Sequence, residues 1–597
     1  MKFPKLRSSM RGFNQRLKSG DMQFKLYCKL LQKCVRTNPS PISDRVSFFL
    51  DTRDFSGLYQ YADHLSSQLY TTASSHFEAN QWAALIKKYK FSPKELKLDP
   101  MGLALSLFRK SEHRCRRTNQ RFRAIARNAN PYECELQRMR DFIAYVLGDV
   151  SLPSIIDNCG FGPGASVGVH GDATNLSRKL LADKWSVNPS AFSFAYNALI
   201  NDPLVNKLLF PEVNGMACYD CSVSRSRYIE RCEVADYNKI AFVPKTAKVH
   251  RTIAVEPLLT GYLQKGIDNV MRLRLKRIGI DLSSQAVNQR YAQFGSEDWQ
   301  REDGFVTIDL ASASDSIAIE VVRNLLPPDW FDLLNSCRPK YGRFARKLGL
   351  PDIRYEKFCS MGNGFCFPLE TLIFAAACHA SGAGKPRLDY VVYGDDIIVR
   401  RNRFPKLLKL LELLGFRLNM GKTHVEGPFR ESCGEDYFGG SVVRPYTLDF
   451  RFDSLESIIK FLNGVQRNDR TRSFFNGIGY AEFGVPPELR FVRPFTGPDD
   501  AAVTVDLDKF MSSPYARWNK SCLAWEALGI IKTPVVDNHY QRDERYHIAQ
   551  MYACLWGASS HNMFTFRRKS KTKLAFKLAS AAPVIGQPPN SFDWLSR

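Results

Sequence analysis

Apolar and polar positions follow a readable order through the middle of the chain. Phe305–Leu310 is a short apolar run that predicts a β-strand, with Asp309 near its C-terminal end. Asp315 or Ser316 then provides the N-cap of a helix that runs through Leu326, and the two prolines that follow end it. This pattern predicts a β-α unit with acidic residues at the point where the strand stops.

A second set of elements follows about 40 residues later. Leu369–Ala380 has the length and pattern of a helix. Tyr390–Tyr393 and Ile397–Val399 are apolar strands, and Gly394-Asp395-Asp396 between them predicts a tight hairpin. A leucine-rich helix from Pro405 to Gly415 and a strand over Phe416–Asn419 come next. The order β-α, an interruption, then α-β-β-α-β resembles a ferredoxin-like sheet with inserts, and the fold class is α+β.

The net charge of the chain indicates which class of partner it binds. The 597 residues include 84 Lys and Arg against 60 Asp and Glu, a net charge of +24, which favours polyanions and nucleic acid first. An anionic membrane and a merely basic soluble surface are the alternatives. Apolar runs reach only about nine residues, as in Leu372–Ala380, where a membrane helix needs about twenty. The basic start lacks an apolar run behind it, so we expect no secretory signal.

Cysteine usage indicates reduced thiols. Fifteen cysteines are scattered along the chain, and an odd number cannot all pair. Cys218, Cys221 and Cys232 could contribute to a zinc site, but no second CxxC or spaced histidine completes it. We therefore expect a cytoplasmic protein without a disulfide framework.

The basic residues are unevenly distributed. Residues 109–127 hold eight Arg or Lys and one acid at helical spacing, which predicts a basic amphipathic helix whose charged face either contacts RNA or is simply solvated. Residues 567–577 alternate basic and aromatic side chains, a pattern that suits single-stranded nucleic acid or a mobile tail.

Two acidic islands interrupt the basic chain. Residues 302–322 contain five acids and residues 388–399 contain three, and neither segment has a Lys or Arg. Clustered carboxylates in a protein that binds polyanions suggest bound divalent cations, because a metal lets both sets of negative charge share one site.

Three aspartates stand out within these islands. Gly394-Asp395-Asp396 taken alone is more often a surface turn, but apolar strands flank it on both sides. If Asp309 ends the neighbouring strand, three carboxylates meet from 86 residues apart, as two-metal phosphoryl transfer requires. Gly394 would supply a turn conformation that other residues resist.

Several strings resemble one protein family. Tyr393-Gly394-Asp395-Asp396 resembles the active-site motif of viral RNA-dependent RNA polymerases, Asp309-x5-Asp315 their first carboxylate motif, and Ser360-Met361-Gly362-Asn363-Gly364 their template loop. More specifically, residues 243–257, 309–316 and 426–434 resemble the replicase subunit of the single-stranded RNA bacteriophages, the leviviruses. The resemblance is clear over about residues 240–445 and weak elsewhere.

The resemblance implies roles for these residues. Asp309, Asp395 and Asp396 would bind two catalytic Mg²⁺ ions, for which Mn²⁺ can substitute. Asp315 and Asn363 would read the ribose 2′-hydroxyl, or else cap a helix and shape a loop. Ser360 and Gly362 would belong to the loop that contacts template and nucleotide. Lys245, Lys248 and Arg251 would form a basic strand that holds the triphosphate. Lys422 would donate a proton to pyrophosphate or simply contact a phosphate.

The implied protein is a right-hand polymerase that copies RNA from nucleoside triphosphates. Residues 1–240 would be mainly fingers, residues 241–450 the ferredoxin-like palm with interleaved finger segments, and residues 451–597 a mostly helical thumb and basic tail. The resemblance also implies host elongation factors Tu and Ts, a host ribosomal RNA-binding protein, template and product RNA, and the cytoplasm of an infected bacterium.

Other functions fit the sequence less well. A non-enzymatic RNA-binding or packaging protein explains the net charge but not the acidic islands. Gly421-Lys422-Thr423 ends like the phosphate loop of an ATPase, but the preceding glycine is five residues away instead of four. A reverse transcriptase would share the palm, although Gly394 favours an enzyme that copies RNA into RNA.

Overall fold

The computed structural model describes residues 3–90, 98–126, 130–171, 173–174, 176–200, 202, 205, 221–494, 500–521, 523–534, 547–548, 551 and 570–579 of the chain. The helices are α1 (Phe3–Leu17), α2 (Gly20–Thr37), α3 (Pro41–Asp51), α4 (Phe55–Ser67), α5 (Ala73–Lys88), α6 (Pro100–Ile125), α7 (Glu133–Leu147), α8 (Leu152–Asp157), α9 (Leu176–Leu180), α10 (Phe192–Ile200), α11 (Cys221–Arg231), α12 (Leu258–Arg277), α13 (Ala286–Glu297), α14 (Ile319–Leu325), α15 (Pro328–Ser336), α16 (Cys366–Ala380), α17 (Phe404–Leu413), α18 (Leu455–Gly464), α19 (Asp469–Phe474) and α20 (Leu507–Met511).

The strands are β1 (Trp185–Val187), β2 (Cys232–Val234), β3 (Tyr237–Pro244), β4 (His250–Val255), β5 (Phe305–Ile308), β6 (Tyr341–Arg343), β7 (Ile353–Arg354), β8 (Tyr390–Tyr393), β9 (Asp396–Arg400), β10 (Phe429–Ser432), β11 (Glu435–Phe438), β12 (Ser441–Val442), β13 (Val492–Arg493), β14 (Val503–Thr504), β15 (Ala516–Asn519), β16 (Ala524–Pro534) and β17 (Ser570–Ala579). Helices and sheets are both well represented, which confirms the predicted α+β class.

The central sheet has the strand order β5-β9-β8, and both of its pairings are antiparallel. Val392 and Ile397 pack in the main core with α16, whereas Val391 and Ile398 pack with Ala292 of α13 on the other face. Because both faces are covered, these strands are continuously apolar, as the sequence pattern indicated. The predicted hairpin of β8 and β9 and the helix that follows it are confirmed.

Two local predictions differ from the structure. Phe416–Asn419 is not a regular strand, although an isolated bridge between Leu418 and Leu310 and hydrogen bonds from Asn419 to Asp309 hold it against the sheet edge. The helix expected from residue 315 or 316 is a short 3₁₀ turn (Ser314–Ser316) followed by α14. The interruption arises because Ile317 is extended and its carbonyl accepts a hydrogen bond from the Phe358 N–H at 2.7 Å.

Two further sheets flank the centre. The sheet β4-β3-β6-β7 contains the β3–β4 hairpin, and the sheet β10-β11-β12 contains the β11–β12 hairpin. Arg430 of β10 is fully buried and donates hydrogen bonds to the carbonyls of Phe305, Gly427 and Phe429 at 2.7–2.9 Å. This side chain therefore ties the third sheet to β5.

The hydrophobic residues form two large cores. One core takes its side chains mainly from residues 115–416, and the other combines α1–α5 with residues 438–574. The N-terminal helices therefore pack against the C-terminal part of the chain, an arrangement that sequence order does not suggest. The division into fingers, palm and thumb remains a prediction.

The remaining sequence predictions concern the tail, the cysteines and the membrane. Residues 570–579 form β17, which pairs antiparallel with β16, while residues 567–569 lie outside the described residues. Cys218 also lies outside them, so the zinc prediction is not addressed. In the part of the chain that the structure describes, no helix is long and apolar enough to cross a membrane.

Candidate active site

Strand register brings the two acidic islands together. Ile308 pairs with Ile397, so Asp309 directly after β5 is next to the start of β9. Tyr393 pairs with Asp396, which leaves Gly394 and Asp395 at the tip of the hairpin. The expected adjacency of the strands that carry these aspartates is confirmed, and their chemical roles remain predictions.

The hairpin tip requires glycine. Gly394 has φ +61°, and a Cβ atom added there would lie 2.3 Å from Cε2 of Phe367. Its N–H donates a hydrogen bond to Oγ1 of Thr371 in α16 at 3.0 Å. The turn is therefore held against the helix behind it, which limits the positions that Asp395 can adopt.

Asp309 is held by the segment that follows α17. Asn419 donates its side-chain amide to Oδ2 of Asp309 at 2.5 Å and its backbone N–H to the Asp309 carbonyl at 2.9 Å. Burial and the nearby Asp395 raise the pKa of Asp309 to about 6, against the opposing effect of Lys422. Burial and Asp395 also raise the pKa of Asp396. The carboxyls therefore repel one another in a poorly solvated place.

This repulsion is the property that a divalent cation would relieve. Carboxylate oxygens are ligands that Mg²⁺ prefers, so the chemistry of the donor set fits the metal. Within the described ranges, however, no group of three or more His, Cys, Asp or Glu side chains is already arranged around a metal position. Metal binding at Asp309, Asp395 and Asp396 is therefore a proposal.

Lys422 lies beside these carboxylates. Its ammonium is 2.9 Å from Oε1 of Glu431. Burial alone would lower the pKa of Lys422, but Glu431, Asp309 and Asp396 outweigh burial and raise it. Lys422 is thus a protonated cation, held by Glu431, at the edge of the aspartate cluster.

The predicted basic strand is mostly a turn. Lys245 and Lys248 lie in the connection between β3 and β4, and only Arg251 lies on a strand. Burial, together with Arg251 and Lys422, lowers the pKa of Lys245, while Asp309 opposes this shift. Lys248 is different, because its ammonium lies 3.7 Å from Asp63 of α4. The structure therefore places Lys245 near both Arg251 and the aspartates, but pairs Lys248 with an N-terminal helix.

The predicted template loop packs against β4. The Met361 carbonyl accepts a hydrogen bond from the Ala254 N–H at 2.7 Å, and Gly362 has φ +118°. Ser360 and Asn363 are both buried, and the Asn363 side-chain oxygen accepts a hydrogen bond from the Phe365 N–H at 3.1 Å. The loop thus joins β4, which carries Arg251, to the N-terminus of α16.

Asp315 has partners that the sequence did not reveal. Its Oδ1 accepts a hydrogen bond from Nζ of Lys357 at 2.6 Å, and the same ammonium lies 3.7 Å from Oε1 of Glu112 in α6. The pairing joins three segments that are far apart in the sequence. Neither Lys357 nor Glu112 stands out in the local sequence pattern, so periodicity alone could not have predicted that they pair with Asp315.

A large basic cleft opens at Lys422 and Lys245. Its volume is about 2150 Å³, and the residues that line it include eleven Lys or Arg against four Asp or Glu. The basic residues are Lys87, Lys88, Arg109, Lys110, Arg114, Arg117, Arg121, Lys245, Arg417, Lys422 and Arg444. The predicted amphipathic helix, α6, therefore presents much of its basic face to this cleft and buries its opposite face in the protein.

Sequence reasoning missed two further groups near the site. Glu370 of α16 is buried, and burial together with Asp395 and Asp315 raises its pKa well above the usual range. Lys88 of α5 lies near Lys422, and burial lowers its pKa. The unusual signal for Glu370 was a lone acid within an otherwise apolar helix.

The fold and site define an α+β protein whose central sheet presents clustered carboxylates beside a strongly basic cleft. The family model for RNA replicase, beta-chain, matches residues 61–476, more than half of the chain. The chain therefore belongs to the RNA replicase beta-chain family.

Curated relatives agree with this membership. The chain is 33% identical over 388 residues to the RNA-directed RNA polymerase subunit beta of Escherichia virus Qbeta, an alignment that covers 63% of this chain and 60% of that protein. It is 36% identical over 333 residues to the RNA-directed RNA polymerase beta chain of Enterobacteria phage fr, covering 55% and 56%. The chain thus spans about 60% of the length of these relatives. The RNA-dependent RNA polymerase of a human picorbirnavirus overlaps 42% of this chain and 61% of its own, at 14% identity and a TM-score of 0.28.

Proposed function

We propose that the protein synthesises RNA on an RNA template and thereby replicates a viral RNA genome. The observation that carries the proposal is the register of β5, β9 and β8, which brings Asp309 beside Asp395 and Asp396. The adjacent cleft, rich in Lys and Arg, suits a polyanion. The names of the relatives, RNA-directed RNA polymerase subunits, support the same activity.

The proposed reaction is nucleotidyl transfer. The 3′-hydroxyl of the growing RNA attacks the α-phosphorus of a nucleoside triphosphate, a new oxygen–phosphorus bond forms, and pyrophosphate leaves. Asp309, Asp395 and Asp396 would hold two Mg²⁺ ions, or Mn²⁺ in their place. When bound, the metals supply positive charge at the attacking and leaving oxygens.

The cationic side chains have separate tasks in this scheme. Lys245 and Arg251 would hold the triphosphate, and Lys422, kept protonated by Glu431, would give its proton to the departing pyrophosphate or hold its charge. A contact between Lys248 and the triphosphate remains a prediction, because the ion pair with Asp63 directs the Lys248 side chain towards α4.

Sugar selection would fall to the loop residues and Asp315. Ser360, Gly362 and Asn363 would shape the nucleotide site, and Asp315 with Asn363 would accept or donate hydrogen bonds at the ribose 2′-hydroxyl. In this scheme residues 1–240 serve mainly as fingers, residues 241–450 as the palm with finger segments, and residues 451–597 as the thumb and tail.

The names of the relatives also bear on assembly, because those proteins are described as beta subunits or beta chains. We propose that this chain likewise works as one subunit of a larger replicase in the cytoplasm of an infected bacterium. Host elongation factors Tu and Ts and a ribosomal RNA-binding protein are the partners that the family resemblance implies.

Incorporation of labelled nucleotides into an RNA primer–template tests the activity. Asp395→Asn should abolish Mg²⁺-dependent incorporation, since one carboxylate charge is lost with little change in volume. Asp303→Asn is the matched control, because Asp303 lies in the first acidic island but is about half exposed and pairs with Arg301 and Arg400. A folded Asp395→Asn variant with full incorporation would refute the metal assignment, and RNA binding without incorporation in wild type would favour a packaging protein.

A further inference from the structure

Lys357 is a lysine with almost no access to solvent. Its side chain is 1% exposed, and its ammonium lies over the rings of Phe108 and Tyr355 at 4.4 and 5.2 Å from the ring centroids. Lysine is rarely buried unless its charge is matched. Two carboxylates match it here, Asp315 at 2.6 Å and Glu112 at 3.7 Å.

The pairing with Asp315 uses only one of its two oxygens. Oδ1 is bonded to Lys357, whereas Oδ2 has no hydrogen-bond partner among the residues that the structure describes. The Asp315 side chain is 17% exposed, so a ligand can reach it. The lysine therefore holds one oxygen of the carboxylate and leaves the other as an unpaired acceptor in the described part of the chain.

The backbone fixes both partners in place. Residues around Lys357 run antiparallel to the segment after Asp315, with a bridge between Lys357 and Ala318 and a hydrogen bond from the Phe358 N–H to the Ile317 carbonyl at 2.7 Å. Cys115 of α6 donates its thiol to the Asp315 carbonyl at 3.4 Å. The geometry of the ion pair is thus determined by two chain segments and a helix.

The surrounding charges explain why a cation is needed. Asp315 contributes to the raised pKa of both Glu112 and Glu370, so it lies near two other buried carboxyls. Without Lys357, three carboxyls would share a poorly solvated space with no cation bonded to Asp315, and the Asp315 side chain would turn away from the other two.

We propose that Lys357 is the positioning residue for sugar selection, because it aims the free oxygen of Asp315 at the 2′-hydroxyl of the incoming nucleotide. This inference rests on the proposed polymerase function. A carboxylate acceptor held at the right point favours a ribonucleotide over its 2′-deoxy analogue, which lacks the donor. Lys357 itself contacts no substrate in this scheme.

The test compares kcat/KM for a nucleoside triphosphate with that for its 2′-deoxy analogue on the same RNA template. Lys357→Met removes the charge and keeps the chain length, and it should lower the ratio by about tenfold or more, the size of one hydrogen bond to a charged group. In an Asp315→Ala background, Lys357→Met should lower the ratio no further, because the two residues act as one unit.

Two more variants separate positioning from folding. Asp315→Glu keeps every charge but moves the carboxylate by one methylene, and it should also lower the ratio. Glu112→Gln touches the same ammonium from the other side, retains its hydrogen bond to the Glu356 N–H, and should change the ratio far less.

The outcomes distinguish the two levels of inference. If Lys357→Met lowers both efficiencies equally, or Asp315→Glu leaves the ratio at the wild-type value, Lys357 is only structural and the inference is wrong. If wild type incorporates neither nucleotide, the proposed function fails and this inference falls with it.

Discussion

A methyl group added at Gly362 tests the placement of the loop that precedes α16. The Cβ atom of an alanine would lie 2.1 Å from the Ala254 carbonyl oxygen, and φ is +118°, which side chains rarely adopt. The obstructing atom belongs to the backbone of β4, so it cannot rotate away as a side chain could. Either the loop or the strand must move by about 1.5 Å to restore ordinary contact.

The expected effect combines two terms. Backbone strain at this φ costs about 1–3 kcal/mol, and forcing extra volume into a packed site costs about 1–3 kcal/mol. We therefore expect Gly362→Ala to destabilise the fold by about 2–6 kcal/mol. A displacement of this size near Ser360 and Asn363 should also lower nucleotide incorporation by about 10²-fold.

Gly349→Ala is the matched control. Gly349 also has a positive φ, +61°, but no atom lies within 4 Å of the added Cβ. It should cost only about 1–2 kcal/mol and leave incorporation close to wild type. The assay is the midpoint of thermal unfolding for both variants, followed by incorporation at a temperature where both are folded. If Gly362→Ala melts no lower than Gly349→Ala, the close approach between loop and strand is wrong.

Three further predictions follow from buried or clustered charges. Burial raises the pKa of Glu256 from 4.5 to about 7, so its contribution to stability is complete below pH 4.5 and is lost as the pH rises through 7. Wild type should therefore lose about 1 kcal/mol of stability between pH 6 and 8. Glu256→Gln should flatten the accompanying fall in melting midpoint, and an unchanged slope would contradict this. Arg430→Met leaves the carbonyls that Arg430 binds without a donor, and it should destabilise the fold by about 3 kcal/mol or more in denaturant unfolding. The exposed Arg354→Met should not destabilise the fold in this way. Equal losses in the two variants would show that Arg430 does not hold the third sheet to β5. Lys245→Met should raise the KM for nucleotides more than Lys248→Met, and the reverse order in steady-state kinetics would mean that Lys248 leaves Asp63 to bind substrate.

Local sequence signals predicted much of the central sheet. Tyr390–Tyr393 and the strand after it were recognisable because strands buried on both faces are continuously apolar, and Gly394 marked the turn between them. The helix from Phe404 to Leu413 was equally clear from its leucine period and the glycine that follows. These elements are decided by residues close together in the chain.

Predictions failed where distant segments compete for the backbone. The segment after Asp315 has a helical pattern, yet Ile317 is extended because it bonds to Phe358, 41 residues away. Phe416–Asn419 does lie antiparallel to the end of the neighbouring strand, but its pairing is limited to one bridge, between Leu418 and Leu310, and does not extend into a regular strand. Periodicity measures local preference and carries no information about such pairings.

By itself, the sequence determined the α+β class, the hairpin with its paired aspartates, and the excess of positive charge. Tertiary structure alone decided which carboxylates each cation lies near: Lys245 lies with the aspartates, Lys248 pairs with α4, and Lys357 is buried beside Asp315. It also decided that the N-terminal helices share a core with the C-terminal region. The physical reason is that hydrophobic period and turn chemistry act over a few residues, whereas charge pairing and core packing depend on which surfaces meet after folding.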